Sequence, residues 1–226
     1  MKALAVDSAV SRLTITAKND DKTCTAIYSI GMKQSETIVP AIDYVLSKAD
    51  LTTKDLDYLT LTSGPGSFTG LRLSFSALKA IELATGKPLY GLSSLKVYAE
   101  PYIEFDYPVL SCIDANKDRF YAGIYSKDGM LLEDGDYSVE ELINKVSSIR
   151  NLVIAGPDNQ KFKDLLKAAN ASIQIIAPQC QPVTTETLFK LTEEEIKKGA
   201  APLQDYDGPV YLRASEAEIV HSQKNF

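Results

Sequence analysis

Hydrophobic and polar positions follow two periods along the chain, and the changes between them mark the predicted elements. Alternating or short apolar runs predict strands, whereas apolar positions three and four residues apart predict helices. The first half reads as three strands, a helix, a strand, a helix and a strand, at residues 2–6, 12–16, 23–30, 35–49, 58–62, 71–85 and 88–91. Ser35 is the predicted cap of the first helix.

The same order recurs in the second half of the chain. A capping box of Ser138 and Glu141 marks the start of one helix. Asp7 and Asp114 each end the first strand of their half, and each is followed five residues later by an arginine. The sequence therefore predicts a duplication, whose second copy has strands at 107–113, 119–125, 130–137, 152–155 and 173–176 and helices at 139–148, 160–169 and 185–198.

Two copies of this order describe the actin-like architecture, which places ATP in the cleft between its halves. We predict an α/β fold of the actin-like ATPase class (ASKHA, ribonuclease H-like), with duplicated βββαβα halves and mixed sheets. The boundary is expected near residues 101–105, which gives an N-terminal lobe of residues 1–103 and a C-terminal lobe of residues 104–206.

A glycine-rich stretch joins the strand at residues 58–62 to the helix that ends at residue 85. We call it the glycine turn, and it consists of Ser63, Gly64, Pro65, Gly66, Ser67, Phe68, Thr69, Gly70, Leu71 and Arg72. Glycines before a helix often bind phosphate through free backbone N–H groups. The two common phosphate-binding motifs, the P-loop and the dinucleotide-binding G-x-G-x-x-G spacing, are both absent, because Thr69 occupies the position where each requires a glycine. We favour a turn that shapes the helix entry, capped by Ser67 or Thr69, over a turn that holds a nucleotide.

The helix after the glycine turn has an unusually wide apolar arc. Its charged residues Arg72, Lys79 and Glu82 share one stripe with Ser76. The remaining arc is about twice the roughly 100° that a surface helix usually buries. Two bodies should cover it, either two layers of one domain or a sheet and a partner. We predict a homodimer interface on this helix and the helix near Ser35, formed by Ser35, Ile38, Ile42, Leu71, Ser74, Phe75, Ala77, Leu78 and Ile81.

Composition and charge indicate which partners the protein can bind and in which compartment it is expected. The net charge of −6 opposes direct binding to nucleic-acid phosphates. The three cysteines, Cys24, Cys112 and Cys180, form no C-x-x-C pair and are expected in the core of a protein in the reducing cytoplasm. No apolar run approaches the ~18 residues that a membrane-spanning helix needs.

The residues expected at an ATPase or metal site are missing from the sequence. The loops that follow Asp7 and Asp114 contain no glycine to let phosphates approach the backbone. Asp7 could hold a water on Mg²⁺, but we favour an aspartate that binds its own turn. His221 is the only histidine, near the C-terminus, and is expected to be solvated. We therefore predict no catalytic residue, no metal site and no cofactor.

The glycine turn as a whole resembles the signature of the TsaB (YeaZ) family. Further segments agree in order along nearly the whole chain: Leu4–Ser8, Ser35-Glu36, Pro40–Asp43, Gly91–Leu95, Asp114-Ala115 and Tyr211–Arg213. Gln34 stands where many members of the family carry a histidine. The resemblance also implies that residues 207–226 return across the N-terminal lobe.

The resemblance implies a role in making threonylcarbamoyladenosine in tRNA. It implies a non-catalytic scaffold that pairs with TsaD, which transfers the threonylcarbamoyl group to adenosine 37 of tRNAs reading ANN codons. A small ATPase, TsaE, joins the pair, and tRNA is contacted only through the complex. Two alternatives remain at this stage: an ATP-binding actin-like enzyme, either a small-molecule kinase or an ATPase, and a peptidase.

Overall fold

The computed structural model describes residues 1–169 and 172–213. The duplicated order predicted from the sequence is confirmed, and each half reads βββαβαβα. The first half contains β1 (Lys2–Asp7), β2 (Arg12–Asn19), β3 (Lys22–Ser29), α1 (Gln34–Lys48), β4 (Tyr58–Gly64), α2 (Phe68–Thr85), β5 (Leu89–Ser93) and α3 (Ser94–Ala99). The second half contains β6 (Val109–Asp114), β7 (Arg119–Ser126), β8 (Gly129–Ser138), α4 (Val139–Val146), β9 (Asn151–Ala155), α5 (Asn159–Ala168), β10 (Gln174–Ile176) and α6 (Thr184–Lys197).

The two halves build two mixed sheets with the same strand order. The first sheet runs β3-β2-β1-β4-β5 and the second runs β8-β7-β6-β9-β10. In each sheet the three leading strands are antiparallel. The fourth strand pairs in parallel with the first strand of that half, and the fifth strand pairs in parallel with the fourth. The parallel additions require helical crossovers, which is why helices alternate with strands there.

The hydrophobic core is divided into three clusters, which stack the elements in layers. The outer face of the first sheet packs against α1 and α2. The outer face of the second sheet packs against α4 and α5. A central cluster joins the inner faces of both sheets to α3 and α6. The central cluster is therefore shared by both halves.

Helix α6 meets the first sheet through polar as well as apolar side chains. Buried threonine hydroxyls pair across this contact, and Lys18 forms a 2.7 Å ion pair with Glu193. The hydroxyl pairs are Thr16–Thr185 at 2.6 Å and Thr60–Thr192 at 2.7 Å. Because these buried hydroxyls satisfy each other, the contact avoids the cost of unpaired polar groups.

Two local predictions are wrong in detail, and one helix was not predicted. Helix α1 begins at Gln34 without a side-chain cap, so Ser35 lies inside its first turn. Helix α2 begins at Phe68, three residues before the predicted start, because Ser67 caps it. Helix α3 was not predicted, since its six residues are too few to show helical periodicity.

Of the three cysteines predicted in the core, only Cys112 is fully buried. Burial raises the pKa of its thiol well above the usual value. Cys24 is half-buried and Cys180 is exposed, so the prediction is wrong for Cys180. Across residues 1–169 and 172–213, no helix combines the length and the hydrophobicity needed to span a lipid bilayer.

Candidate functional site: the glycine turn and the cleft between the halves

The glycine turn connects the end of β4 to the start of α2, as the sequence predicts. Ser67 is the N-cap, and its side-chain oxygen accepts a 3.2 Å hydrogen bond from the backbone N–H of Gly70. Of the two predicted caps, Ser67 is therefore confirmed. The cap satisfies one of the free N–H groups with which every helix begins.

The glycines are needed because the turn touches the backbone of the β1–β2 loop. A Cβ atom on Gly66 would lie 2.3 Å from the carbonyl oxygen of Ala9, and one on Gly70 would lie 2.1 Å from that of Ser8. The backbone N–H of Ser67 donates a 2.6 Å hydrogen bond to the Ala9 carbonyl. The contact between two backbones supports the interpretation that the turn shapes the helix entry.

The β1–β2 loop is also held from the side of helix α1. Gln34 is buried, and its side-chain amide donates hydrogen bonds to the carbonyl oxygens of Val10 at 2.9 Å and Ser11 at 3.1 Å. Ser8 donates from its hydroxyl to the Gly70 carbonyl at 2.7 Å. The loop that would hold phosphate in an actin-like ATPase is thus fixed by contacts within the protein.

Asp7 is the buried centre of this region. It accepts hydrogen bonds from the N–H of Ala9 at 3.1 Å, the Thr62 hydroxyl at 2.9 Å and the Tyr98 hydroxyl at 3.3 Å. The favoured interpretation, an aspartate that binds its own turn, is confirmed. Burial and the neighbouring Asp7 raise the pKa of Tyr98 well above its usual value. Sequence reasoning could not predict the roles of Thr62 and Tyr98, because both lie far from Asp7 along the chain.

Asp114 occupies the equivalent position in the second half, with more polar surroundings. Its carboxylate accepts a 3.0 Å hydrogen bond from the N–H of Asn116 and pairs with Lys161 of α5. Its own backbone N–H donates 2.8 Å to the carboxylate of Asp158. Burial raises the pKa of Asp158, and the neighbouring Asp114 carboxylate acts in the same direction.

A C-terminal segment, residues 203–213, crosses the glycine turn and reaches both halves. The Val210 N–H donates a 2.7 Å hydrogen bond to the Ser63 carbonyl. The Arg72 guanidinium lies 3.7 Å from the centre of the Phe68 ring and donates to the Tyr211 hydroxyl at 2.9 Å. The segment then meets the second half, where Arg213 holds the Asp136 carboxylate through two nitrogens at 2.8 and 3.0 Å.

A cleft of about 710 Å³ lies between the halves, beneath this segment. Its walls come from the β1–β2 loop, the glycine turn, the β6–β7 loop, the β9–α5 turn and residues 210–213. The polar and aromatic side chains that line it include Phe68, Asp114, Tyr121, Asp158, Tyr211 and Arg213. In the sequence, the glycine turn and the loops that follow Asp7 and Asp114 pointed to this cleft.

The nine predicted interface residues do not share one exposed surface. Six of them are buried within the chain itself: Ile38, Ile42, Leu71, Ser74, Phe75 and Leu78. Ser35 is exposed, and Ala77 and Ile81 are half-buried. Four of the six buried residues, Ile38, Ile42, Phe75 and Leu78, belong to the apolar cluster that packs α1 and α2 on the first sheet.

The outward surface of the same helices is instead formed by other residues, which we call the α1–α2 face. It contains Val39, Tyr44, Ser76, Ala80 and Leu83, with exposed fractions of 63% for Val39, 51% for Tyr44 and 89% for Leu83. The C-terminal segment covers part of the charged stripe of α2, at Lys79. Lys79 donates to the Gln204 carbonyl at 2.7 Å and pairs with Glu82.

The described residues contain no group of three or more His, Cys, Asp or Glu side chains that could hold a metal ion. His221, which is predicted to be solvated, lies outside the described residues. Of residues 207–226, whose return across the N-terminal lobe the resemblance implies, only residues 207–213 are described.

Comparison with known structures supports the predicted fold class. A crystal structure of an uncharacterized Pseudomonas aeruginosa protein with similarity to peptidase YEAZ superposes with a TM-score of 0.78 and 19% identity, over 94% of this chain and 99% of that one. A Bacteroides thetaiotaomicron protein with an actin-like ATPase fold and unknown function superposes with a TM-score of 0.50 and 8% identity, over 84% of this chain and 95% of that one. The fold is therefore the actin-like ATPase fold.

Sequence comparison identifies the family within this fold. The family model described as TsaD, tRNA N6-adenosine threonylcarbamoyltransferase, matches residues 31–204. The tRNA threonylcarbamoyladenosine biosynthesis protein TsaB of Bacillus subtilis (strain 168) is 27% identical, over 99% of this chain and 100% of that protein. The chain belongs to the TsaD family and, within it, to the TsaB (YeaZ) members.

Proposed function

We propose that this protein is a non-catalytic subunit that activates threonylcarbamoyl transfer to adenosine 37 of tRNAs reading ANN codons. It acts in a heterodimer with a TsaD homologue, to which a TsaE homologue adds ATPase activity. It meets tRNA only through that complex, and it forms a homodimer when isolated. Its membership of the TsaB group supports the pathway, and the α1–α2 face supports an action through contact with a partner.

The α1–α2 face is the single observation that best supports a partner subunit. Val39, Tyr44 and Leu83 expose large apolar surfaces on two adjacent helices. Ser76 and Ala80 are also exposed on α2 and are small enough to let another helix approach closely. An exposed apolar patch on two helices is typical of a protein–protein interaction site.

The closed phosphate loop supports a role without catalysis. The Ala9, Val10 and Ser11 carbonyls accept hydrogen bonds from the glycine turn and from Gln34, so this loop is committed to internal contacts. Asp7, the residue best placed to carry Mg²⁺, has its carboxylate engaged by three internal donors. The carbonyl contacts fix the loop in place, and Mg²⁺ in an ATPase would need the Asp7 carboxylate that these donors occupy.

Reconstitution with purified TsaD and TsaE homologues and tRNA tests the proposal. Leu83→Asp places a charge at the centre of the α1–α2 face without touching the core, since Leu83 is almost fully exposed. We expect TsaD binding to weaken by at least about tenfold, and modification to fall with it, because the charge would be buried unpaired. Leu131→Asp on β8 is the matched control, because Leu131 is also an exposed leucine and lies in the second half.

Two results would contradict the proposal. If Leu83→Asp and Leu131→Asp bind TsaD equally well, the α1–α2 face is not the interface. If Asp114→Asn abolishes modification while the complex still forms, a chemical role for this chain must be sought. Asp7 is unsuitable for this second test, because its replacement would disturb a buried hydrogen-bond centre.

Light scattering tests the homodimer separately. We expect the isolated wild-type chain to be a dimer and Leu83→Asp to be a monomer, because a two-fold pair brings both copies of Leu83 into one interface. A wild-type chain that stays monomeric at high concentration would contradict this part of the proposal alone.

A further inference from the structure

Arg72 carries a positive charge that no carboxylate of the described residues neutralises. It is exposed in the first turns of helix α2, and its Nε donates a 2.9 Å hydrogen bond to the Tyr211 hydroxyl. Its two terminal nitrogens have no hydrogen-bond partner in the described part of the chain, and it forms no ion pair there. An arginine with both terminal nitrogens available can bind a carboxylate or a phosphate through two parallel hydrogen bonds.

Two aromatic rings hold the guanidinium group of Arg72 in place. Its central carbon lies 3.7 Å from the centre of the Phe68 ring and 5.8 Å from the centre of the Tyr211 ring. The two rings also contact each other, with 4.9 Å between their centres, and the chain beside Tyr211 is fixed by the hydrogen bond from Val210 to Ser63. Because the side chain is already ordered, a partner that binds it costs less conformational entropy than one that binds a free surface arginine.

Arg72 lies on the same stripe of α2 as the residues that this helix contributes to the α1–α2 face. The exposed residues of the stripe follow each other at helical spacings of three or four: Arg72, Ser76, Ala80 and Leu83. Arg72 itself does not line the cleft. Its guanidinium group therefore stands at one end of a surface that otherwise consists of small and apolar side chains on this helix.

The composition of this stripe favours a protein partner with an acidic side chain. Small and apolar residues suit the surface of another protein, and the net charge of −6 opposes contact with nucleic-acid phosphates. A second copy packed with its α2 against this α2 would bring no free carboxylate to Arg72, because Glu82 is the only acid of the helix and is paired with Lys79. Arginine and aromatic residues are also enriched among the residues that dominate the affinity of protein interfaces.

We propose that Arg72 is the charged anchor of the α1–α2 face, and that the terminal nitrogens of its guanidinium group bind a glutamate or aspartate side chain of the partner protein. The inference rests on the function proposed above, since the partner is the TsaD homologue that is proposed to bind this face. It extends the interface from the middle of α2 to the last residue of the glycine turn.

Calorimetric titration of the full chain with the purified TsaD homologue tests the anchor. Arg72→Gln removes the charge and the planar group, and we expect it to weaken TsaD binding about tenfold. Arg72→Lys keeps the charge without the planar group, and we expect it to weaken binding at least about fivefold. Full affinity of Arg72→Lys would overturn the two-bonded contact. Arg150→Gln is the matched control, because Arg150 is also an exposed arginine and lies in the second half, and we expect it to bind like the wild type.

A further variant separates a direct contact of Arg72 from an effect on the C-terminal segment. Tyr211→Phe keeps both rings and removes only the hydroxyl that accepts from Arg72. We expect it to weaken TsaD binding less than Arg72→Gln does, because the guanidinium group is still present. An equal loss in the two variants would show that the segment, and not the charge of Arg72, carries the effect, and would overturn the inference.

Leu83→Asp separates the failure of this inference from the failure of the proposed function. If Leu83→Asp loses TsaD binding while Arg72→Gln binds like the wild type, the inference is wrong and the proposed interface stands. If neither variant changes TsaD binding, both are wrong. If Arg72→Gln binds TsaD normally but makes the isolated chain monomeric, or weakens tRNA binding by the assembled complex, the anchor serves a second copy or a phosphate group, and the inference is wrong.

Discussion

The two halves carry the same aspartate turn at the same strand end, and they use it differently. Asp7 and Asp114 each accept a hydrogen bond from the N–H two residues further on. Asp7 is only 2% exposed and its other partners are neutral hydroxyls, whereas Asp114 is half-buried and pairs with Lys161. The same turn therefore fixes the local backbone in both halves. The neighbouring residues determine whether its aspartate is a buried structural residue, as Asp7 is, or part of the cleft lining, as Asp114 is.

The loops that follow the two aspartates also differ in how they are packed. The loop of the first half is covered by the glycine turn, which touches it through Gly66 and Gly70. The loop of the second half has three successive left-handed residues at Asn116, Lys117 and Asp118, with φ values of 60°, 53° and 56°. Residues 113–116 line the cleft. The duplication has thus kept the scaffold and changed its packing.

The largest expected effect comes from forcing the covered loop of the first half open. Gly66→Ala places a Cβ atom 2.3 Å from the Ala9 carbonyl oxygen, so one of the two backbones must move. We expect a loss of about 3 kcal/mol or more in the free energy of unfolding, measured by chemical denaturation. Gly208→Ala is the control, because a Cβ atom there meets nothing within 4 Å. Equal stability of both variants would show that the contact is not tight.

Removing the two aspartates in turn measures the difference between the halves directly. Asp7→Ala leaves buried donors of Thr62, Tyr98 and Ala9 without an acceptor, and we expect a loss of about 2 kcal/mol. Asp114→Ala breaks an ion pair with an exposed lysine, and we expect a loss of about 0.5 kcal/mol. Thermal or chemical unfolding of the two variants checks the order. A larger loss for Asp114→Ala would reverse the comparison.

The smallest effects should have opposite signs at two aspartates of the second half. Burial works against the charge of Asp136, but hydrogen bonds from Arg213 and Arg119 hold its pKa below the usual value. The stability it contributes is present above the unfolded-state pKa of about 4 and is lost as the pH falls through the folded-state pKa. We therefore expect Asp136→Asn to lower stability at pH 7 by up to about 1 kcal/mol, and the deficit to shrink at acidic pH.

Asp158 should behave in the reverse sense, because its folded-state pKa is raised by burial. Its contribution is full below the unfolded-state pKa and is lost as the pH rises through the folded-state pKa. Asp158→Asn should therefore match or exceed wild-type stability at pH 7, by less than about 1 kcal/mol. Unfolding curves from pH 3 to pH 8 for both variants test the signs, and parallel curves would contradict them.

The sequence predicted the order of the elements well because most of them are long and periodic. Strand–helix alternation and the capping box at Ser138 are local signals, and the structure contains both. Helix α3 was missed because six residues cannot display a period. The role of Gln34 was missed because its partners, Val10 and Ser11, are more than twenty residues away along the chain.

The candidate sites were only partly predictable, for a related reason. The width of the apolar arc on α2 predicted more than one covering body, but it cannot say which residues the chain itself covers. Phe75 and Leu78 pack in the cluster that joins α2 to the first sheet, whereas Leu83, the same residue type as Leu78, stays exposed on the same helix. The cleft depends on Asp158 and Arg213 meeting the first half, and no local pattern encodes such a meeting.

The sharing of α3 and α6 between the sheets has a consequence for synthesis on the ribosome. The inner face of the first sheet is complete once β5 has been made, but its cover, α6, begins only at Thr184. At roughly 5–20 residues per second, this face waits on the order of ten seconds for its partner. The threonine hydroxyls on this face make it less hydrophobic than a wholly apolar face, and therefore less prone to aggregate while α6 is still being made.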